Sequence, residues 1–500
     1  MEYAATREEM QRIDQYTIEE IGIPGMVLME KAAMATCEEI IARFTKDKTV
    51  LVVTERGNNG GDGIVVARIL SSLGYKVDIY EIGGVRRASE QYAAQKEIAI
   101  HLELSFLEQL PENDYDIIID SIFGVGLSRE ISGIQREVIE KLNEKSGIKI
   151  AIDVPSGIDA STGKVMGAAF LADYTVTFGL NKVGLILYPG AEYAGEVLVK
   201  DIGFPKKAVE TIAPKTVFYT KEDRDKLPKR KADSNKGTYG RVLIVAGSKN
   251  MSGAAYFNAK AAYRSGCGLV QIFTHESNRV ILQTKLPEAI LTTYEEEADA
   301  REKLEEAIKR ADVIVFGSGM GNTYLTRNLL LLVQSFANVP IVLDADGINC
   351  IHMEGKASIE LSKFLAPCII TPHMKEMARL MKMDISVIKR DIIQTAKLCA
   401  KDNHITCVLK DVRTVVMDEQ SQTYINITGN HGMAKGGSGD VLAGIIGGLL
   451  AGGLEPVEAA RMGVFCHGMA GDLAEEEKGA YSMLASDIIE QLPSVLGGER

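Results

Sequence analysis

Gly429-Asn-His-Gly-Met-Ala-Lys-Gly-Gly-Ser-Gly-Asp440, continued by VLAGIIGGLLAGG to Gly453, is the stretch whose reading decides the fold. Three glycines around Ser438 make a turn whose backbone N–H groups can face an anion, and the apolar run behind it starts a helix. Asp440 falls in that helix's first turn. It can cap the helix, or it can stand beside a bound phosphate and deprotonate a hydroxyl that attacks phosphorus. The uncharged run from Val441 to Leu454 is glycine-rich and shorter than the ~20 residues a membrane span needs, so it is not read as one.

Outward from this motif, β-branched runs alternate with helical periodicity through both halves, the pattern of an α/β chain with mainly parallel sheets. The first half gives strands at Thr49–Val53, Lys76–Tyr80, Asp116–Asp120, Lys149–Asp153 and Tyr174–Phe178. The second gives Arg241–Ala246, Leu269–Phe273, Asp312–Phe316, Pro340–Asp344, Cys368–Thr371 and Ile405–Lys410. Between them, residues 204–235 carry Pro205, Pro214, Pro228 and the run KEDRDKLPKRKADSNK, which a buried element could not hold. A boundary is expected near 212–222, between domains 1–215 and 220–500. At the start, Thr6-x-x-Glu9 is a capping box for a packing helix with Met10, Ile13, Thr17 and Ile21 at helical spacing.

The 500 residues exceed one ordinary domain. With 68 acidic against 56 basic residues the net charge is −12, which argues against a broad nucleic-acid or anionic-membrane surface. Seven scattered cysteines without a CxxC pair suggest neither a disulfide framework nor a zinc site, and are read as reduced, buried thiols. The N-terminal residues lack a signal-peptide pattern, and the chain is expected to be cytoplasmic, not bound to membrane or nucleic acid, and a homo-oligomer.

After the strand TVLVV, Gly57-Asn-Asn-Gly-Gly-Asp-Gly63 leads into a helix, a natural anion seat. The spacing is neither GxGxxG nor a P-loop. A tight structural turn is one reading; two asparagines and an aspartate around it favour a polar ligand. Asp116–Asp120 runs into SIFGVGLSRE and Lys149–Asp153 into VPSGIDASTG. In open parallel sheets ligands sit beyond the strands' carboxyl ends, so the three loops should converge. Asn59, Asp120 and Ser156 then offer oxygens suited to a hard cation, although any one carboxylate could be a helix cap.

In the second half, Leu227–Gly240 leads into the strand RVLIVAGS, and the small residues Gly253-Ala254-Ala255 open the next helix, suited to ligand approach or to tight packing. Phe316-Gly-Ser-Gly-Met-Gly-Asn322 ends a strand in a glycine-rich turn. Thr371-Pro-His-Met-Lys-Glu376 places His373 at another strand's carboxyl end, where a structural and a functional role are both open.

These motifs carry a resemblance. GNNGGDG, DSIFGVGLSREISG and IDVPSGIDASTG resemble the signature loops of the NAD(P)H-hydrate epimerases, which implies a Rossmann-like three-layer domain that interconverts the two C6 epimers of hydrated NADH or NADPH and binds K⁺. The resemblance implies substrate contact by Asn58, Asn59, Gly60, Gly61, Asp62, Gly124, Val125, Gly126, Leu127, Ser128, Arg129 and Glu130, a catalytic, substrate-facing Asp153, and K⁺ ligands Asn59, Asp120 and Ser156. Glu55-Arg56 stand where that family usually has Gly-Pro. GNHGMAKGGSGDVLAGIIGGLLAGG with its companion loops is similar to the ribokinase-like ADP/ATP-dependent NAD(P)H-hydrate dehydratases. That implies a second α/β domain in which Ala254 or Ala255, Gly319, Met320, Gly321, His373 and the catalytic Asp440 face the hydrate. Lys410, Asp411, Val412, Arg413, Thr414 and Gly439 would hold ADP or ATP, with Mg²⁺. Lys375 and Asp411 depart from the glycines usual in that family. The rival reading is a ribokinase-like small-molecule kinase fused to a non-catalytic Rossmann-like binding domain.

Overall fold

The computed structural model describes residues 1–83, 87–353, 359–420 and 422–497. The chain divides into two compact units, Tyr3–Thr216 and Val217 onward, the latter taking in Met1–Glu2.

In the N-terminal unit the strands are β1 (Thr49–Thr54), β2 (Lys76–Glu81), β3 (Ser105–Leu107), β4 (Ile117–Ser121), β5 (Ile148–Ile152), β6 (Tyr174–Phe178) and β7 (Glu196–Lys200). They form one parallel sheet in the order β3-β2-β1-β4-β5-β6-β7. Because side chains alternate along a strand, Val50 and Val52 pack on one face with Ile117 and Ile119, against α2 (Gly25–Arg43) and α3 (Asn58–Ser72). Leu51 and Val53 face the other way, with Ile118, Val138 and Leu142. Both faces are covered, giving the Rossmann-like three-layer fold.

The opening helix α1 (Arg7–Gln15) has the Thr6–Glu9 capping box, and a π-helical turn, Tyr16–Ile21, extends it. That turn advances the phase. Met10, Ile13 and Thr17 are buried as spaced, but Ile21, expected on the same face, is exposed.

In the C-terminal unit the strands are β8 (Arg241–Val245), β9 (Leu269–His275), β10 (Ile290–Tyr294), β11 (Val313–Phe316), β12 (Ile341–Leu343), β13 (Cys368–Ile370), β14 (Thr406–Leu409), β15 (Val415–Met417) and β16 (Thr423–Ile425). Their order is β10-β9-β8-β11-β12-β13-β14-β15-β16, parallel as far as β14 and antiparallel beyond. The helices that matter for the site are α4 (Ser252–Arg264), α5 (Met374–Met381), α6 (Ser438–Ala451) and α7 (Pro456–Lys478). The apolar run after Asp440 is α6, a core helix. A Cβ at Gly444 would lie 2.3 Å from the Asn258 carbonyl of α4, and one at Gly448 2.6 Å from that of Ala262, so the glycines let two backbones touch. Among the described residues no helix is long and apolar enough to cross a membrane.

The region expected to hold no buried element does hold one. Val217, Phe218 and Tyr219 are buried, and Tyr219 meets Tyr424 and Phe465 edge-on at 4.9 and 5.7 Å while its hydroxyl donates to Glu458. The apolar TVFY was masked by the charges around it. All seven cysteines are buried and free, and burial pushes the thiols of Cys37, Cys267, Cys350 and Cys466 up to about 12, which keeps them unreactive.

Candidate active sites

The three N-terminal loops leave β1, β4 and β5 at their carboxyl ends and meet around a cavity of about 800 Å³. Asn58, Asn59 and Asp62, the Gly124–Arg129 turn and Asp153 all line it. Gly60 and Gly61 are buried within α3; a Cβ on Gly60 would lie 1.8 Å from the Glu55 carbonyl and one on Gly61 2.6 Å from the Met29 side chain, so the first lets the helix start close to the strand and the second lets α2 pack against it. Glu130 is exposed just beyond the lining turn.

Asp153 holds a left-handed backbone, φ +67°, that turns its carboxylate toward the loop before it. One oxygen pairs with Lys182 Nζ at 2.7 Å and the other accepts the Val125 N–H at 3.0 Å. Lys182 is 1 % exposed and also donates to Thr177 Oγ1 and the Phe178 carbonyl. A short parallel pairing of Ala4–Ala5 with Asn181–Lys182 fixes its position. Asp14, one turn beyond Met10 on α1, lines the same cavity, as does Ile18 of the π-helical turn. Burial, and then the Asp153 charge, push Asp62 and Asp14 upward, Asp62 well above the ordinary carboxylate value. A lysine-paired carboxylate next to carboxyls that favour their protons is an arrangement for moving a proton. Sequence reading missed Lys182 and Asp14; the signal for Asp14, a charged residue four beyond Met10 on the buried stripe, was present.

Asp120 is fully buried at the end of β4. Its two oxygens accept from Ser156 Oγ at 2.6 Å, Ser156 N at 2.7 Å and Ile122 N at 3.1 Å. Burial pushes its carboxyl up to about 6 against those bonds. The Asn59 amide beside Gly124 is buried, and neither its oxygen nor its nitrogen has a hydrogen-bond partner. The Phe123 N–H donates to Ser156 Oγ, so the loop that carries Gly124, beside the orphaned amide, also touches the Ser156–Asp120 pair, and these oxygens are of the kind a hard cation takes.

In the C-terminal unit, parallel strand ends and the start of α6 bring five polar groups together. Asp344, one residue past β12 and 2 % exposed, accepts from Lys410 Nζ at 2.9 Å, Thr371 Oγ1 at 2.6 Å and Ser318 Oγ at 3.0 Å. Burial alone would raise its carboxyl; Lys410 and the two hydroxyls hold it below the ordinary range. Lys410 lies one residue past β14, and its ammonium would sit 3.3 Å from a Cβ on Gly439, so this lysine and the glycine turn adjoin. Asp440, third residue of α6, makes no cap; the cap position is Gly437, with φ +94°. Burial, then the Asp344 charge, push its carboxyl up to about 7, against Lys410 and Ser318.

Ala254 packs against Gly319, where a Cβ would come within 2.7 Å of its methyl, whereas Ala255 is fully buried beneath Gly247. Gly321 N–H donates to Asp346 at 2.7 Å, and Met320 is buried. Asp411 and Val412 are exposed on the turn from β14 to β15, where Arg413 donates to the Ile427 carbonyl and the Thr414 carbonyl accepts from Asn426. His373 caps α5: its Nδ1 accepts the N–H groups of Lys375 and Glu376 at 3.0 and 3.2 Å. That nitrogen is committed to the backbone. Asp344 and Ser318 were missed, although both lie at ends of strands read from the sequence.

The model of the NAD(P)H-hydrate dehydratase family matches residues 242–494, and that of the YjeF-related protein N-terminus matches 25–184. A bifunctional NAD(P)H-hydrate repair enzyme of Thermofilum pendens is 34 % identical over 98 % of this chain and 95 % of its own length. One of Moorella thermoacetica is 36 % identical over 99 % and 96 %. The C-terminal unit is similar to the Bacillus subtilis ADP/ATP-dependent NAD(P)H-hydrate dehydratase co-crystallised with ATP/Mg²⁺, at 31 % identity and TM-score 0.50, covering 56 % of this chain and 97 % of that one. With such identity sustained over almost the whole length of both partners, the chain belongs to the family of bifunctional NAD(P)H-hydrate repair enzymes.

Proposed function

We propose that the N-terminal unit epimerises the R and S forms of hydrated NADH and NADPH, and that the C-terminal unit dehydrates the S form at the expense of ADP or ATP. The observation that carries this reading is the pairing of Asp440, its carboxyl near 7, with the Gly436–Gly439 turn at the start of α6. A base stands where a phosphate would be held. Asp440 takes the proton of the C6 hydroxyl as that oxygen attacks the terminal phosphoryl group, giving a phosphate ester and AMP or ADP. The ring N1 lone pair then expels phosphate from C6, and loss of a C5 proton restores the dihydronicotinamide. Lys410 and the turn N–H groups face the negative charge. Among the described residues no cluster of three or more His, Cys, Asp or Glu could hold a metal, so Mg²⁺ would enter on the nucleotide's phosphates and balance their charge.

In the N-terminal unit, inversion at C6 moves a proton on or off an oxygen, and Asp62 and Asp153 are the carboxyls placed for it. K⁺, when bound, would be held by Asn59, Asp120 and Ser156 and supplies positive charge beside the cavity.

Chemically hydrated NADH incubated with ADP tests the whole reading. Recovery of dihydronicotinamide absorbance with release of phosphate is expected. A stable phosphorylated product without that recovery would leave an ordinary kinase.

The division at Thr216/Val217 implies that residues 1–216 and 217–500, expressed apart, each fold and keep one activity. A fragment beginning at residue 220 loses Val217, Phe218 and Tyr219, each worth about 1.5–3 kcal/mol of burial. Urea melts should therefore show it less stable than 217–500 by several kcal/mol; equal stability would place the boundary later.

A further inference from the structure

Besides its acidic set, the cavity of the N-terminal unit is lined by three guanidinium groups, Arg56, Arg87 and Arg129. Arg129 lies in the loop already read as contacting substrate. Arg56 does not: with Glu55 it replaces the Gly-Pro usual in similar epimerases. Its guanidinium is held in place, with Nε and Nη2 each 2.9 Å from Glu81 Oε1. The other Glu81 oxygen takes the Lys96 ammonium and the Tyr92 hydroxyl. One carboxylate thus anchors two cations, which leaves this cluster with a positive charge in excess. The Arg56 carbonyl accepts the Ser89 N–H at 3.0 Å, which ties the segment carrying Arg87 to the start of the first glycine-rich loop, two residues before α3 begins. A guanidinium whose fork is fixed by a neighbour is preorganised for the oxygens of a phosphate.

We propose that Arg56, together with Arg87, forms a phosphate subsite in this cavity that binds a phosphate of the hydrated dinucleotide. The inference rests on the epimerase reading above. Both hydrates carry a pyrophosphate, and NADPH hydrate alone carries a further 2′-phosphate, so the two substrates distinguish the sources.

The test uses the full-length enzyme without adenine nucleotide, so that only interconversion of R and S is followed, by chromatography, for each hydrate. In Arg56→Ala and in Arg87→Ala, KM is expected to rise roughly 10-fold or more with kcat little changed, as for loss of a charge-assisted contact. Equal increases for both hydrates identify the pyrophosphate as the ligand; an increase confined to NADPH hydrate identifies the 2′-phosphate. Arg56→Lys keeps the charge and the Glu81 partner but not the fork, so its KM should fall between those of wild type and Arg56→Ala. Unchanged KM for both hydrates overturns the subsite, as does a fall in kcat alone, which would reduce Arg56 to a support of the Glu81 cluster. A wild-type enzyme that does not interconvert the epimers overturns the earlier reading instead.

Discussion

Asp440→Asn is expected to lower dehydration of the S hydrate by roughly 10²–10⁴-fold, the usual cost of losing a general base. The fold should barely notice. Asp440 provides no side-chain cap, since α6 is capped at Gly437, so the isosteric amide should change stability by under about 1 kcal/mol. Adenine-nucleotide binding and epimerisation should persist. The pH dependence follows from protonation: burial and Asp344 push the carboxyl up to about 7, and only the carboxylate accepts a proton. The kcat/KM of the wild-type dehydratase reaction should therefore fall about tenfold per pH unit below that value and level off above it, as expected for one essential base in the free enzyme. Near-wild-type turnover by Asp440→Asn would leave the residue a member of a helix and nothing more. His373 would then be a poor substitute, because its Nδ1 already accepts two backbone N–H groups.

Why Asp440 was readable while Asp344 was not is a matter of sequence locality. Asp440 follows directly on the glycine turn read as a phosphate seat, so spacing along a dozen residues singles it out. Asp344 acquires its meaning from Lys410 and Ser318, brought to it by separate parallel strands, and nothing in the run around it announces that meeting. Lys182 is similar: it looks like a surface lysine until the Ala5 pairing turns it inward onto Asp153. The eleven strands read from β-branched runs lie within two residues of those observed; most are largely buried and apolar, as in TVLVVT and RVLIV, and even the more exposed KVDIYE keeps its β-branched and aromatic residues. Among the strands that escaped are the short Glu2–Ala5, Asn181–Lys182 and Thr216–Phe218, then Ser105–Leu107, Glu196–Lys200 and Ile290–Tyr294, and lastly the antiparallel pair Val415–Met417 and Thr423–Ile425. Ser105–Leu107, Glu196–Lys200 and Ile290–Tyr294 form sheet edges, where partial exposure permits polar residues and the signal weakens. The last two are short and sit in a hairpin rather than in the βα alternation. That the loops after β1, β4 and β5 lie at one end of the sheet, with Asp120 bonded to Ser156, was legible because a parallel sheet delivers its loops to one end whatever the side chains do.

That convergence sets the next expected result. Replacing Asp120 by alanine removes the one carboxylate of the proposed cation site and should weaken the K⁺ response of epimerisation on the order of 10- to 100-fold, as for loss of a contact to a charged group. Dehydration of the S form in the other unit should be spared. Alanine also strands the N–H groups of Ser156 and Ile122, while the Ser156 hydroxyl keeps the Phe123 carbonyl as acceptor, so this variant should lose stability, by about 1–3 kcal/mol for each donor left dry. Asp120→Asn narrows the two effects: it keeps the shape and one acceptor oxygen while removing the charge, and sets its NH2 against only one of the two backbone N–H donors. A smaller stability loss than in Asp120→Ala together with an equal loss of K⁺ response would assign the residue to the cation. An unchanged K⁺ response in Asp120→Asn would mean that the buried carboxylate only ties β4 to the Ser156 loop. The orphaned amide of Asn59 would then need another partner, and the cation would have to lie elsewhere along the cavity.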